Sequence, residues 1–342
     1  MEYSDIIKKN IELASVHWWP ECAYHFTDVT NAVNILSTEF LFSRNEAKSN
    51  NMMINDNASK QVINMTTSGV TARVRFYFRP LTPTQYYVEG YKHPALRYGD
   101  DQNANIPVPV FFAFDMMKLI SDENITFSIY SQAGRGDAVL SGINAFSKLP
   151  FNNVYSNDYT EDETIRKCRH AEILYNGKYN INKSIRAILC RNEIEKLTLL
   201  NLLYDKNKQA YYKYKDRIKV CKRDMFEYNG LYLTDVNYAD NKLLFKFSDT
   251  YEKMKYENKQ KEKNCISSLD PIAIKAKLIW EDSKGIILED EANGLFDYER
   301  IKSLKLEEIP IVEKAKLLKL KVYIEEKLIA YIKYPLDVNV LM

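Results

Sequence analysis

Tyr24-His25-Phe26-Thr27-Asp28-Val29-Thr30-Asn31 and, far along the chain, Arg169-His170-Ala171-Glu172-Ile173-Leu174 are the stretches on which the fold turns. In the first, residues 23–27 read as a short strand and Thr30 to Leu36 as a capped helix. Successive side chains on a strand alternate, so His25 and Thr27 share a face and Phe26 takes the other. An imidazole and a hydroxyl placed together can hold a ligand by hydrogen bonds; the bland alternative is a satisfied core histidine beside an ordinary strand threonine. In the second, a carboxylate interrupts an apolar strand running from His170 to Tyr175, a setting that disfavours charge. Glu172 then either pairs with a cation, Arg169 or Lys167, or does chemistry.

Between them lies Arg73-Val74-Arg75-Phe76-Tyr77-Phe78-Arg79, alternating as a strand does and ended by Pro80 and Pro83, with a helix starting at Thr82. Arg73, Arg75 and Arg79 share one face. Three guanidinium groups embedded in Phe-Tyr-Phe are costly to bury without anionic partners. A pyrophosphate satisfies them through bidentate donors, and a solvated edge strand is the equal alternative. A carboxylate beside a ribose can hold its hydroxyl, stabilise an oxocarbenium-like state and take a proton from an incoming amine, and Glu172 suits each role.

Outward from these segments, residues 6–15 read as a helix, and 45–69 as a mobile loop or irregular helix. Strands are predicted over 107–114 and 125–130, and Ser131 to Asp137 is a turn before a helix over 138–146. Arg135 sits in that turn between Gly134 and Gly136, which permit close approach to a ligand or simply a flexible loop. Composition shifts toward Lys, Glu and Tyr beyond 185, which sets a unit 1–190 and a second unit 191–342. The second begins with a helix-like run from Glu193 to Phe226. It continues with a hairpin (231–236 with 242–247), a charged helix (250–263) and two more hairpins (274–280 with 285–289, and 318–324 with 328–334). Lys206 to Arg223 holds eight basic residues, Lys213 and Arg217 among them, interleaved with Tyr211, Tyr212 and Tyr214. That pattern suits a single nucleic-acid strand, or a charged solvated helix.

With 48 basic and 46 acidic residues the net charge is +2, so attraction for a polyanion has to come from a local patch. The 25 tyrosines fit strand-rich structure and ring-stacking surfaces. Five scattered cysteines make neither a disulfide framework nor a zinc site, which predicts a reducing, cytoplasmic setting and no metal. No apolar run reaches membrane-spanning length, and no membrane partner is expected. Walker, dinucleotide-fold and metallohydrolase motifs are missing.

Taken in order, His25-x-Thr27-x-x-x-Asn31-x-x-x-Ile35, Phe40-Leu41-Phe42-Ser43-Arg44-Asn45-Glu46-Ala47, Arg75 to Pro83 and Arg169-His170-Ala171-Glu172 resemble the DarT family of nucleic-acid-directed ADP-ribosyltransferases. The resemblance covers about residues 20–180. It implies a mixed α/β (α+β) fold: an ADP-ribosyltransferase core of two small packed sheets with flanking helices and NAD in the cleft between them, plus a C-terminal helix/hairpin module. It implies that His25, Thr27, Asn31 and Arg44 contact NAD, that Tyr77 lies in the nicotinamide region, and that Glu172 is the catalytic acid/base. Arg44, Arg73 and Arg75 compete for the family's catalytic arginine, and Arg75 is chosen. Arg79, Arg135, Lys213 and Arg217 are the candidate nucleic-acid contacts. The family's Asn-Pro-Arg-Ser-Pro turn is Arg79-Pro80-Leu81-Thr82-Pro83 here, lacking the arginine after the first proline.

The implied function is a toxin that moves one ADP-ribose from NAD, with no metal, to a base of single-stranded nucleic acid. DNA is the family default and RNA the rival. The setting is toxin–antitoxin or anti-phage defence, and the partner an antitoxin, alone or with a chaperone, that grips residues 191–342. A protein-directed ADP-ribosyltransferase, an NAD glycohydrolase and a non-enzymatic binding module with a structural Glu172 are the alternatives.

Overall fold

Apolar side chains at helical spacing bury one side of helix α1 (Tyr3–Leu13), which opens with Glu2 and Asp5 capping each other's backbone. The computed structural model describes residues 2–53, 68–97, 105–132, 138–221, 224–248, 258, 261–263 and 265–336. Strand β1 (Cys22–Asp28) stops where Asp28 accepts the Thr30 N–H at 2.9 Å and so caps α2 (Val29–Thr38). Glu39, in the left-handed region at φ 66°, closes α2 ahead of β2 (Phe40–Leu41). Ser43 and Glu46 form a reciprocal box at the start of α3 (Arg44–Ser49). Next come β3 (Arg73–Tyr77), β4 (Pro109–Asp115), β5 (Ile125–Ser128), β6 (Glu172–Asn176), β7 (Tyr179–Asn180), β8 (Ile185–Cys190) and β9 (Ile218–Val220).

Seven of these strands follow the order β5-β6-β3-β1-β4-β8-β9, while β2 pairs with β7. The order hides a division. β1 pairs with β4 along its whole length, but with β3 only at Tyr24↔Tyr77. Just past that pair His25 Nδ1 meets the Arg75 carbonyl at 3.0 Å, a side chain standing where a ladder bond would be. Two half-sheets, β5-β6-β3 and β1-β4-β8-β9, therefore diverge from one point of contact.

Two expectations fail in this part. The helix over 138–146 shrinks to Ile143–Phe146, because Leu140 exchanges backbone bonds with Phe127 and Gly142 sits at φ 78°. The run Glu193–Phe226 is not one helix: Asn207, extended at φ −151°, ends the helix Glu193–Lys206 and caps a second one, Lys208–Tyr214. The chain then becomes β9, parallel to β8, so the seven-stranded order continues past residue 190. The segment after β9 lays Met225 and Phe226 over Cys22, Tyr24 and Phe111 on the far face of the sheet.

The remaining strands are β10 (Leu233–Ala239), β11 (Lys242–Phe247), β12 (Ile272–Asp282), β13 (Gly285–Phe296), β14 (Ser303–Leu306), β15 (Leu317–Ile324) and β16 (Lys327–Pro335). They form a sheet β10-β11-β14 and a sheet β13-β12-β15-β16, and all three predicted hairpins are present. The charged helix over 250–263 lies mostly outside the described residues. One continuous core runs from Ile6 to Ile332. Helix Glu193–Lys206 joins its parts by packing on α2 and on the edge of β16. There Thr198 Oγ1 accepts the Tyr331 N–H at 2.9 Å and Asn201 Nδ2 donates to the Tyr331 carbonyl at 2.9 Å, which occupies an otherwise open strand edge.

A buried ionic cluster fastens the same region. Arg191 donates to Glu195 and to the Pro107 carbonyl, lies 3.6 Å from Glu89, and stacks on Tyr232 at 3.7 Å. Glu89 also accepts the Glu227 and Tyr228 N–H groups, each at 2.9 Å. Burial pushes the Glu195 carboxyl from 4.5 up to about 7, against the pull of Arg191 and with Glu89 adding to the rise. The folded chain thus retains a proton that the unfolded chain releases. This contribution to stability is complete below the unfolded value and is lost as pH rises through the folded one. Urea midpoints at about pH 4 and pH 8 should therefore differ less for Glu195→Gln than for the wild type.

Candidate active site

The cleft opens where the half-sheets part. It is lined by His25, Phe26 and Thr27 from β1; Asn31, Asn34, Ile35 and Thr38 from α2; Phe40 to Phe42, Arg44 and Ala47; Met52, Met53, Val70 and Thr71; Arg73, Arg75 and Tyr77 from β3; and Thr84, Val88 and Ile106. Residues far apart in sequence meet here because β1 and β3 are neighbours and α2 and α3 follow β1 and β2 closely. Its lining combines aliphatic and aromatic side chains with hydroxyl, imidazole and guanidinium groups. Seven residues singled out from sequence, His25, Thr27, Asn31, Arg44, Arg73, Arg75 and Tyr77, line this one cavity.

Glu172 lies behind Arg75. The β3–β6 register sets Tyr77 opposite Glu172 and Arg75 opposite Leu174, so Arg75, Tyr77 and Glu172 face one way. The Arg75 guanidinium forks onto the carboxylate, with Nε 2.9 Å from Oε2 and a second, closer bond from Nη2 to Oε1. Ser131 Oγ and the Gln132 N–H approach Oε1 at 3.4 Å each. The carboxylate is fully buried, whereas the Arg75 side chain is 29 % exposed and reaches the cavity. Arg75 is thus the residue that connects Glu172 to the cleft. Neither Arg169 nor Lys167, the cations nearest in sequence, is its partner: Arg169 donates to Ser156 and Asp158, and Lys167 pairs with Glu163.

The electrostatics follow from burial and this pair. Burial would lower the Arg75 guanidinium, but the Glu172 charge outweighs it and holds the group above its ordinary value. Burial lowers the His25 imidazole, with the Arg75 carbonyl pulling the other way, and raises the Tyr77 phenol. His170 precedes β6 instead of lying on it, and burial together with the Arg75 charge brings its imidazole down to about 4. Thr84 Oγ1 is 3.5 Å from His170 Nδ1. Both histidines are therefore neutral at pH 7.

Other expectations require correction or lie outside the described residues. Arg79 does not continue the face of Arg73 and Arg75, because β3 ends at Tyr77 and the chain turns. Its guanidinium is buried over the Trp19 ring at 4.3 Å and donates to the carbonyls of Pro80, Val154 and Ser156 and to Asn157 Oδ1. It is a brace, with no face left for a nucleic acid. Arg79→Met should cost about 2–3 kcal/mol in urea denaturation and leave affinity for single strands unchanged. Lys213 pairs with Glu39 at the end of α2, and Arg217 donates to the Ile185 carbonyl at 2.9 Å. Neither lines the cleft. Arg135 lies outside the described residues.

Reading the sequence missed Ser131 and Gln132 beside the carboxylate, and Thr84, which lines the cleft 3.5 Å from His170. It also missed Met52 and Met53, which fall in a stretch read as loop. The Thr82-Pro83-Thr84 cap was the one local signal for Thr84, since it starts the helix Pro83–Val88 that faces the cleft. Among the described residues no cluster of His, Cys, Asp or Glu could hold a metal ion, and no helix is long and apolar enough to cross a membrane.

The chain is similar to Thermus sp. 2.9 DarT in complex with NAD+, at 14% identity and a TM-score of 0.45 over 60% of this chain and 98% of that one. It is also similar to the same protein in complex with ADP-ribosylated ssDNA, at 16% identity and a TM-score of 0.47 over 60% and 95%. A third similar structure is Thermosipho africanus DarTG in complex with ADP-ribose, at 16% identity and a TM-score of 0.41 over 55% and 48%. No curated protein matches. The family described as "ssDNA thymidine ADP-ribosyltransferase, DarT" matches residues 24–225. Because that match takes in more than half of the 342 residues and both halves of the divided sheet, the chain belongs to the DarT family and is an NAD-dependent ADP-ribosyltransferase.

Proposed function

We propose that this enzyme transfers one ADP-ribose from NAD to a thymine base of single-stranded DNA. The observation that carries the choice of catalytic groups is the forked pair of Arg75 and the buried Glu172 behind the cleft floor. Glu172 acts as the catalytic acid/base and Arg75 positions it. His25, Thr27 and Asn31 hold the donor's ribose and amide, and Tyr77 packs against nicotinamide. Arg44 and Arg73, which line the cleft, suit the pyrophosphate.

The chemistry balances simply. The bond from ribose C1′ to the nicotinamide nitrogen breaks, and its electron pair leaves with nicotinamide, which becomes neutral. The positive charge that grows on the ribose is stabilised by the Glu172 carboxylate. A lone pair of the base forms the new bond to C1′, and the proton from thymine's one ring N–H passes to Glu172. His25 and His170, being neutral, add no competing charge beside that state.

A stable adduct on DNA bases blocks template use, so the cellular reading is a toxin in a toxin–antitoxin or anti-phage defence system, restrained by an antitoxin. The residues beyond the family match, from 226 onward, form an accessory module that meets the target strand, the antitoxin or a chaperone. The hairpins and their exposed edges support that role.

The test is label transfer from NAD to single-stranded DNA with and without thymidine, to RNA and to cell-extract protein. Label on thymidine-containing DNA alone is expected. Label on RNA or on protein, or NAD hydrolysis at one rate with and without nucleic acid, would replace the DNA reading with the corresponding alternative.

A further inference from the structure

Helix Glu193–Lys206 ends beside the cleft wall, and its last two side chains reach different neighbours. Lys206 Nζ donates to Asn34 Oδ1 on α2. Asn34 is 4% exposed, lines the cleft, and passes the contact on: its Nδ2 donates to the Met52 carbonyl at 2.7 Å. The sense of this amide is forced, because an ammonium can only donate and a carbonyl can only accept. The Met52 N–H is taken by the Ala47 carbonyl at 2.8 Å, and the Met53 N–H by the same carbonyl at 3.2 Å. Both backbone groups of Met52 are therefore fixed. With them is fixed the end of α3, which carries Arg44 and Ala47 into the cleft beside Met52 and Met53.

Asp205 is held from the other side. The Tyr331 hydroxyl donates to its carboxylate and Lys333 pairs with it, both from β16, in a sheet that lies beyond the family match. We propose that Lys206 is a positioning residue for NAD, and that the C-terminal sheet acts on the donor site through it. This rests on NAD occupying the cleft as read above. Without the Lys206 ammonium the Asn34 amide is free to turn, and the Met52 carbonyl loses its set partner. Arg75 and Glu172 stand on β3 and β6, whereas this chain of bonds runs through α2 and α3. Affinity for NAD should therefore change while the rate at saturation does not.

Calorimetric titration of NAD into the full chain decides this, together with the transfer rate at saturating NAD on the acceptor that the label test identifies. Lys206→Met should raise the Kd for NAD about fivefold or more and keep the saturated rate within about twofold. Lys206→Arg, which keeps a donor, should stay near wild type. Asp205→Ala should raise the Kd in the same direction and add nothing in combination with Lys206→Met, since both act through one link. An unchanged Kd in Lys206→Met, or a fall in Tm and saturated rate at unchanged Kd, would overturn the proposal. Additive effects of the two changes would overturn the part assigned to the C-terminal sheet. His25→Ala is run in parallel: if it also leaves the Kd unchanged, NAD lies elsewhere and the reading of the cleft falls with the link. If His25→Ala raises the Kd and Lys206→Met does not, the link alone falls.

Discussion

Glu172→Gln is expected to lower transfer of ADP-ribose by about 10²–10⁴-fold, the range that a positioned acid/base group supplies. Glutamine has the same shape, still accepts from Arg75, and fills the same fully buried space behind the cleft floor. What it lacks is the charge that stabilises the ribose as nicotinamide departs and the capacity to take the acceptor's proton. Arg75 loses its counter-charge, but its side chain is partly exposed and water can solvate it, so stability should fall by only about 1 kcal/mol. A large loss of turnover with a small change in Tm is thus the signature of a chemical role. Transfer that keeps its wild-type rate in this variant would remove Glu172 from the reaction.

Arg191→Met should have the largest effect on stability, a loss of about 3–5 kcal/mol, because it leaves Glu89 and Glu195 together in the interior with no cation between them. Both carboxylates are fully buried, and neither can turn to water. Adding Glu195→Gln should recover part of the loss, since the amide is neutral at every pH, whereas Glu195, pushed up to about 7 even beside Arg191, has to take up a proton to stay buried without it. The expected order of urea midpoints is wild type, then the double variant, then Arg191→Met. If Arg191→Met melts with the wild type, the cluster is not what fastens helix Glu193–Lys206 to the rest.

The strand of His25 and Thr27, the capped helix after it and the C-terminal hairpins were legible because each is specified by local periodicity and by caps a few residues away. Glu172 was legible for the opposite reason: a carboxylate in an apolar strand conflicts with its surroundings, and such conflicts gather at functional sites. Its partner was not legible. Arg169 and Lys167 are near in sequence, yet the bond goes to Arg75, because β3 and β6 pair in a register that no local rule specifies.

Arg79 shows the limit of alternation as a guide. The pattern runs on through residue 79, but the strand stops at Tyr77, and the guanidinium is then placed by the Trp19 ring and the carbonyls of Val154 and Ser156. Lys213 and Arg217 read as a nucleic-acid patch from sequence; the fold sets Glu39 beside the first and the Ile185 carbonyl beside the second, and places both outside the cleft.

From its sequence alone, this chain has its element types, the hairpin turns and the residues available for chemistry, since all of these depend on neighbours within about one turn or one pleat. The tertiary structure decided the rest: the divergence of β1 from β3 that opens the cleft, the choice of Arg75 over two nearer cations, the burial of Arg79, and the single core that runs through both ends of the chain. Those outcomes depend on which strand edges and side chains meet across the molecule, and such long-range pairing is set by the packing of the whole fold.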